Sequence, residues 1–243
     1  MIRTLYIIMV IYFLLGFTGL FFINRKKETI EARRSWIKTI VYFITINAVC
    51  ISIIINPIAF RCLAVLIIIM GFFELFKLFR ESGYEQKYLF LRSILVFTAF
   101  SSAFFYFSGM EKELILFSFG ILSIFDSFSQ ISGQLWGRRK IFPKISPNKT
   151  FVGFIGGTLI AILSGFLIKV LIAVPPAKAI ILAAGVAIFA FIGDFSASFY
   201  KRKYNVKDFS NLIPETGGFL DRFDSLIAGG AWVGLFDLLT HSI

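Results

Sequence analysis

Long apolar runs, separated by short polar and charged segments, set the pattern of this chain. A helix needs about 20 apolar residues to cross a bilayer, and runs of about that length lie at residues 5–23, 37–55, 60–78, 89–107, 114–132, 151–173, 179–199 and 219–240. The pattern therefore predicts an all-α fold, a polytopic integral membrane protein of about eight transmembrane helices. The last run begins among charged residues, so a re-entrant or half-buried segment is an alternative there.

Composition favours a membrane protein over a soluble domain. Hydrophobic residues make up 58% of the 243 residues, whereas apolar residues make up about 45–50% of soluble domains. The net charge of +11 comes mainly from bases in alternate short loops between the apolar runs. This distribution argues against nucleic acid as a partner and for membrane lipids.

The basic loops also predict an orientation. They lie at residues 24–38, 77–92, 138–149 and 201–207, and loops rich in Lys and Arg stay in the cytoplasm. We therefore expect both termini outside and all four basic loops inside, so that a site built from these loops faces the cytoplasm. The short chain, without an extended targeting region, favours a bacterial cell inner membrane.

Four aspartates lie inside or at the edge of apolar runs: Asp126, Asp194, Asp221 and Asp224. An acid costs about 2.5–3.5 kcal/mol at the centre of a membrane helix, so each is a functional candidate. Asp221 and Asp224 are three residues apart, which puts both carboxylates on one helix face. Carboxylates this close suit Mg²⁺, which takes one or two protein carboxylates and leaves its other positions to water and phosphate.

Glu74 is a further acid in an apolar run. A pair with Lys77, one helical turn on, is the interpretation that we favour. The alternative is that Glu74 faces the site as an additional acid.

The segment at residues 138–157 predicts an anion site. Ser146, Lys149 and Thr150 precede a helix start that is rich in glycine. The amino terminus of a helix is electropositive and offers free N–H groups, so a cation and hydroxyls beside it suit phosphate.

Two spaced motifs resemble the CDP-diglyceride synthetase (phosphatidate cytidylyltransferase) family. The first is the SPNKT segment after Asp126, similar to the family's S-P-x-K-T loop. The second matches S-x-x-K-R-x4-K-D followed by P-x-H-G-G-x-x-D-R-x-D, and its matching residues are Ser198, Lys201, Arg202, Lys207, Asp208, Pro214, Gly217, Gly218, Asp221, Arg222 and Asp224. Two positions depart from the family: Thr216 replaces the His before the glycine pair, and Val152 replaces a Glu.

The resemblance implies that the chain makes CDP-diacylglycerol and pyrophosphate from CTP and phosphatidate or a related lipid phosphate. Residues 111–243 form the expected catalytic region and residues 1–110 a scaffold of transmembrane helices. The expected catalytic residues are Asp126, Asp194, Lys201, Arg202, Asp221 and Asp224, with Asp194 and Asp221 as the Mg²⁺ ligands. The expected substrate-binding residues are Ser146, Lys149, Thr150, Ser198, Lys207, Asp208, Gly217, Gly218 and Arg222. A second, monovalent cation and a homodimer are left open.

The predicted chemistry needs neither histidine nor cysteine. A phosphate monoester has a second pKa of about 6 and is mostly doubly ionised near neutral pH, so it attacks without a general base. Mg²⁺, Lys and Arg would neutralise the charge of the leaving pyrophosphate. Two alternatives stay open. One is a CTP-dependent polyprenol or phytol kinase, whose hydroxyl nucleophile needs a base such as Asp208 or Asp126; the other is a catalytically degenerate membrane scaffold.

Overall fold

The computed structural model describes residues 29–241, together with Phe21 and Arg25. Within that part, seven helices are long and apolar enough to cross a membrane. They are α1 (Thr29–Ile55), α2 (Pro57–Glu81), α3 (Lys87–Phe107), α4 (Lys112–Trp136), α5 (Phe151–Ile168), α6 (Pro176–Lys203) and α7 (Leu220–His241). The prediction of an all-α polytopic membrane protein is confirmed, while the predicted span at residues 5–23 lies outside the described residues.

Several helices extend beyond the apolar runs that predicted them. Helix α1 begins at Thr29 rather than at residue 37, and α6 continues to Lys203 rather than ending at residue 199. Hydropathy marks only the part of a helix that is apolar, so polar turns at its ends escape the prediction. Helix α7 is continuous from Leu220 to His241 and is long and apolar enough to cross a membrane, as the predicted last span requires.

Close helix packing concentrates in the C-terminal half. The most extensive contacts join α4 to α5 and α6 to α7, and α3 packs on α7. Phe60 of α2 and Phe104 and Phe107 of α3 are fully buried in the hydrophobic core. Gly230 of α7 faces Phe104 and Phe107, where a Cβ atom would lie 2.7 Å from each ring. Small residues at such crossings let membrane helices approach closely.

A short hairpin, which the sequence did not predict, connects α4 to α5. Strand β1 (Lys140–Phe142) pairs antiparallel with β2 (Ser146–Thr150). Its two prolines disfavour a strand prediction, but the ring of Phe142 packs on α6, 4.1 Å from the ring of Phe195. This tertiary contact holds the hairpin beside the end of α6 and places β2 next to the candidate site.

Candidate active site

Asp194, on α6, carries an open carboxylate that meets a lysine of the hairpin. Lys149 Nζ lies 2.8 Å from Asp194 Oδ2, and the Asp194 side chain is 42% exposed. Ser198 Oγ donates to Oδ1 at 3.3 Å. The Lys149 ammonium also lies 4.3 Å from the centre of the Phe191 ring, an attraction that helps to fix a cation. Asp194 is therefore oriented by protein groups but keeps surface that a ligand can reach.

Two more of the predicted aspartates flank Asp194. Asp126 of α4 and Asp224 of α7 each interact electrostatically with Asp194 and with Lys149. Gly193 permits this approach, because a Cβ atom there would lie 2.6 Å from the Asp224 carbonyl oxygen. The carboxylates of Asp126, Asp194 and Asp224, which are far apart in the sequence or on different helices, thus interact with one another's surroundings through Asp194 and with the same lysine.

This group of carboxylates is recessed from the helix ends. Asp194 precedes Lys203, the last residue of α6, and Asp126 precedes Trp136, the last residue of α4. At 1.5 Å per residue the two aspartates lie about 13–15 Å from those ends. Helix α7 begins at Leu220, so Asp224 lies in its first turns, about 6 Å from its start, and interacts electrostatically with Asp194.

Asp221 is bonded on both of its oxygens. Its side chain is 5% exposed and forms an ion pair through Oδ1 with Lys201 Nζ. Its Oδ2 accepts hydrogen bonds from the Phe209 and Gly218 N–H groups, both at 2.8 Å. Lys201 also interacts electrostatically with Asp224. Asp221 therefore holds the segment that precedes α7, and Lys201 links it to the recessed group.

The glycine pair, predicted to admit a substrate, is explained by protein contacts. Gly217 has a φ of +93°, a conformation that favours glycine, and a Cβ atom there would lie 2.7 Å from Asp221 Oδ2. A Cβ atom at Gly218 would overlap Glu74 Oε1. The two glycines let the backbone reach the carboxyl groups of Asp221 and Glu74, so the structure gives them a role that needs no ligand.

Glu74, on α2, is fully buried against this turn. Its Oε1 accepts from Ser210 Oγ at 2.6 Å and from the Phe219 N–H group at 2.9 Å, and its Oε2 accepts from the Leu220 N–H group at 2.8 Å. The favoured pair of Glu74 with Lys77 is wrong. Lys77 Nζ instead lies 3.8 Å from Glu81 Oε1. The Glu74 carboxylate points into the bundle, because it accepts from N–H groups at the start of α7 that have no partner within that helix.

The start of α5, predicted as an anion site, is engaged in part by protein groups. Thr150 is 3% exposed, and its Oγ1 accepts from the Gly153 N–H group at 3.0 Å as the helix cap. Gly153 and Gly157 lie against the backbone of α4, where Cβ atoms would approach Ser129 O at 2.7 Å and Phe125 O at 2.9 Å. Thr150 therefore has a structural role as a buried cap, and the glycines serve helix packing. That Thr150 also binds substrate stays a prediction.

Arg202, predicted as catalytic, donates hydrogen bonds to backbone carbonyl groups of the hairpin and of the segment after α6. Its Nε donates to Ile145 O at 3.2 Å and its Nη1 to Val206 O at 2.8 Å. Arg202 therefore ties the hairpin to the end of α6, and in this structure it supports the loop that carries Lys149.

Arg222 lies between the glycine turn and the N-terminal half. Its Nη2 donates to Thr216 O at 3.2 Å, and its guanidinium carbon lies 5.2 Å from the centre of the Tyr42 ring. Tyr42, which sequence reasoning missed, also interacts electrostatically with Asp126 and Asp224. A tyrosine in an apolar run carries no distinctive signal, so only the fold reveals that α1, in the expected scaffold, borders the site.

The remaining predicted substrate residues are less engaged. Lys207 and Asp208 are exposed on the segment between α6 and α7, and Ser146 is half-buried on β2. Of the two positions that depart from the family, Val152 is 39% exposed and Thr216 is 6% exposed. Thr216 Oγ1 is buried without a hydrogen-bond partner among the described residues.

The recessed group offers carboxylate oxygens, the kind of donor that Mg²⁺ binds. Within residues 29–241, no group of three or more Asp, Glu, His or Cys side chains is arranged to hold a metal ion by itself. Mg²⁺ does not need one, because it is held through one or two carboxylates with water and phosphate completing its shell. The open carboxylate of Asp194, with Asp126 and Asp224 beside it, fits this requirement.

Comparison with known proteins identifies a family for the region that builds the site. The model of the cytidylyltransferase family matches residues 108–238, more than half of the chain. That range includes every predicted site residue, whereas Tyr42 and Glu74 lie before it.

Curated relatives match about half of the chain. A phosphatidate cytidylyltransferase of Brucella abortus is 38% identical over 123 residues, which is 50% of this chain and 46% of the relative. The enzyme of that name from Aquifex aeolicus is 41% identical over 125 residues, 47% of this chain and 42% of the relative. The one from Bacillus subtilis is 38% identical over 104 residues, 42% of this chain and 39% of the relative. The chain thus spans less than half the length of each of these relatives.

Proposed function

The chain belongs to the cytidylyltransferase family, and on this premise we propose that it is a phosphatidate cytidylyltransferase. A phosphate oxygen of phosphatidate would attack the α-phosphorus of CTP, the bond between that phosphorus and the bridging oxygen would break, and pyrophosphate would leave. CDP-diacylglycerol would be the lipid product. The observation that carries the proposal is the recessed Asp194–Lys149 pair flanked by Asp126 and Asp224.

Charge neutralisation is the chemistry that this site supports. Two phosphate-bearing substrates repel each other, and fixed cations in a low-dielectric site oppose that repulsion strongly. Lys149 and Lys201 each sit between carboxylates, so either ammonium can contact phosphate while the carboxylates hold its position. No general base is needed, since the phosphate monoester carries its own charge.

Mg²⁺ is the proposed cofactor, and it would supply Lewis acidity at the reacting phosphate and charge compensation at the leaving group. Asp194 would hold it through its exposed carboxylate surface. Asp221 would join Asp194 only where Lys201 moves off Oδ1, because its other oxygen is engaged by two N–H groups. Asp126 and Asp224 would balance the charge beside it.

The proposed location is a bacterial inner membrane with the site open to the cytoplasm. The basic loops of the sequence support this orientation. The hairpin and the segment between α6 and α7, which carry Lys149 and Lys207, both lie in such loops. CTP is a cytoplasmic nucleotide, so this side is the one that suits the reaction.

The test uses purified protein in detergent with phosphatidate, Mg²⁺ and CTP labelled at either the α- or the γ-phosphate. Cytidylyl transfer is expected to move the α-label into lipid and release pyrophosphate. A lipid that takes the γ-label, with CDP as the second product, would overturn the proposal in favour of a lipid kinase. No labelled lipid with either nucleotide, and no rise in melting temperature with CTP and Mg²⁺, would indicate a degenerate scaffold.

A further inference from the structure

The start of α7 has an acceptor from another helix. The first N–H groups of a helix have no partner within the helix, and they carry the positive end of its dipole. At α7 the N–H groups of Phe219 and Leu220 both donate to Glu74 of α2, at 2.9 and 2.8 Å. The helix start is therefore already filled by a protein carboxylate, and these two N–H groups are not available to a substrate phosphate.

The fit around this carboxylate is close on every side. Ser210 Oγ donates to Glu74 Oε1 at 2.6 Å, and Glu74 has 0% exposure. Gly218 lies so near that a Cβ atom there would overlap Oε1. Three donors and one glycine thus define a single position for the carboxylate.

The turn that Glu74 holds carries the candidate chemistry. Asp221 follows Leu220 directly and forms the ion pair with Lys201, and Asp224 lies one helical turn further, beside Asp194. A rotation or shift of the start of α7 would move both aspartates relative to α6. Reacting groups must be held in precise positions, since a displacement of about 1 Å can lower the rate about 100-fold.

We propose that Glu74 is a positioning residue of the active site, whose buried carboxylate fixes the turn at residues 217–220 and with it Asp221 and Asp224. The expected effect of Glu74 on the reaction rate rests on the proposed function, whereas its effect on the turn rests on the contacts alone. Glu74 does not touch the reacting groups; it acts through the backbone that carries them.

The test compares Glu74→Gln with Glu81→Gln, a matched change on the same helix at an exposed side chain. Glutamine has nearly the size of glutamate, but its amide nitrogen is a donor. In either orientation of the amide, its nitrogen would take the place of one carboxylate oxygen and would face a donor from which it cannot accept: the Leu220 N–H group, or the Phe219 N–H group together with the Ser210 hydroxyl. Amide hydrogen exchange of residues 217–224 would be measured in detergent, together with kcat and KM for CTP, both per folded protein.

A positioning role predicts that kcat and hydrogen exchange change while KM does not. In Glu74→Gln, exchange at residues 217–224 should rise at least tenfold, with exchange in α5 as an unchanged internal reference. The value of kcat should fall at least tenfold while KM for CTP stays within threefold, and Glu81→Gln should match the wild type. Unchanged exchange, or a kcat within twofold of wild type, would overturn the inference.

A milder variant covers the case in which Glu74→Gln does not fold. Ser210→Ala removes one donor and leaves the carboxylate in place, so a threefold to tenfold rise in exchange at residues 217–224 is expected, and no rise would count against the inference. A wild-type protein without transferase activity would contradict the proposed function. The exchange comparison would then still decide whether Glu74 fixes the turn.

Discussion

Asp194 and Asp221 are both aspartates of the same site, yet their surroundings differ completely. The Asp194 side chain is 42% exposed and is held by one lysine and one hydroxyl. The Asp221 side chain is 5% exposed, and a lysine and two backbone N–H groups engage both of its oxygens. The first carboxylate has capacity left for a ligand, whereas the second is already used by the fold.

This difference shows that an acid in an apolar run has two distinct uses. A buried acid whose oxygens are all bonded to protein groups stabilises the arrangement of the chain. An acid that keeps exposed surface next to a lysine retains binding capacity for a cation. The two kinds lie close together in the sequence, at Asp194 and Asp221, and only their partners separate them. Substitutions at the two positions should therefore fail in different ways.

Asp221→Asn should have the largest effect on stability and activity together. The change leaves the Lys201 ammonium buried without its counter-ion, and breaking a buried ion pair costs about 3–5 kcal/mol of unfolding free energy. We expect a markedly lower melting temperature in detergent and no measurable cytidylyl transfer. A normal melting temperature would contradict the structural use of Asp221.

Removing both charges sharpens this result. In Asp221→Asn combined with Lys201→Met, no charge of the pair is left buried, and the asparagine oxygen still accepts from the Phe209 and Gly218 N–H groups. Most of the lost unfolding free energy should return, whereas transfer activity should not. Recovery of activity as well would limit Asp221 to a structural role and exclude it as a Mg²⁺ ligand.

Asp194→Asn should remove activity without destabilising the protein. Loss of the open carboxylate is expected to reduce kcat about 1000-fold, equivalent to about 4 kcal/mol in the barrier. The melting temperature should change little, because ion pairs with an exposed partner contribute about 0–1 kcal/mol. Asp237→Asn, the same change towards the far end of α7, is the control, and both are assayed with α-labelled CTP. A large stability loss in Asp194→Asn would remove the contrast with Asp221.

Lys149→Met should have an intermediate effect. Its ammonium pairs with Asp194 at 2.8 Å and is one of the two cations proposed to contact phosphate. We therefore expect a loss of about 100-fold in kcat/KM for CTP, comparable to the loss of one charge-stabilising donor. Stability should change by less than about 1 kcal/mol. Lys144→Met, at an exposed position of the same hairpin, is the matched control. Equal losses in the two variants would indicate a general effect of hairpin charge.

The sequence predicted the membrane helices well, because the bilayer fixes both their length and their apolarity. It also selected Asp126, Asp194 and Asp224, since an acid in such a run is costly and therefore conspicuous. The hairpin escaped prediction because its strands depend on the packing of Phe142 against α6 rather than on local propensity.

The partners of the site residues could not be read from the sequence. Glu74 bonds to Leu220, 146 positions further along the chain, and local spacing instead suggested Lys77. Thr150 and the glycines after it matched an anion loop, yet burial against α4 gives them capping and packing roles. Motif spacing indicates which residues gather at a site, but the fold decides which of them remain open to a ligand.

Thr216→Val should have the smallest effect and tests the departure from the family's histidine. Thr216 Oγ1 is buried without a hydrogen-bond partner among the described residues, and a buried unsatisfied polar group costs about 1–3 kcal/mol. Valine removes that group at nearly constant size, so the melting temperature should stay the same or rise, and transfer should remain within threefold of wild type. Thr240→Val, at an exposed position near the end of α7, is the control. A loss of tenfold or more in kcat would instead mean that the Thr216 hydroxyl contacts the reactants, which would place it among the open groups of the site with Asp194.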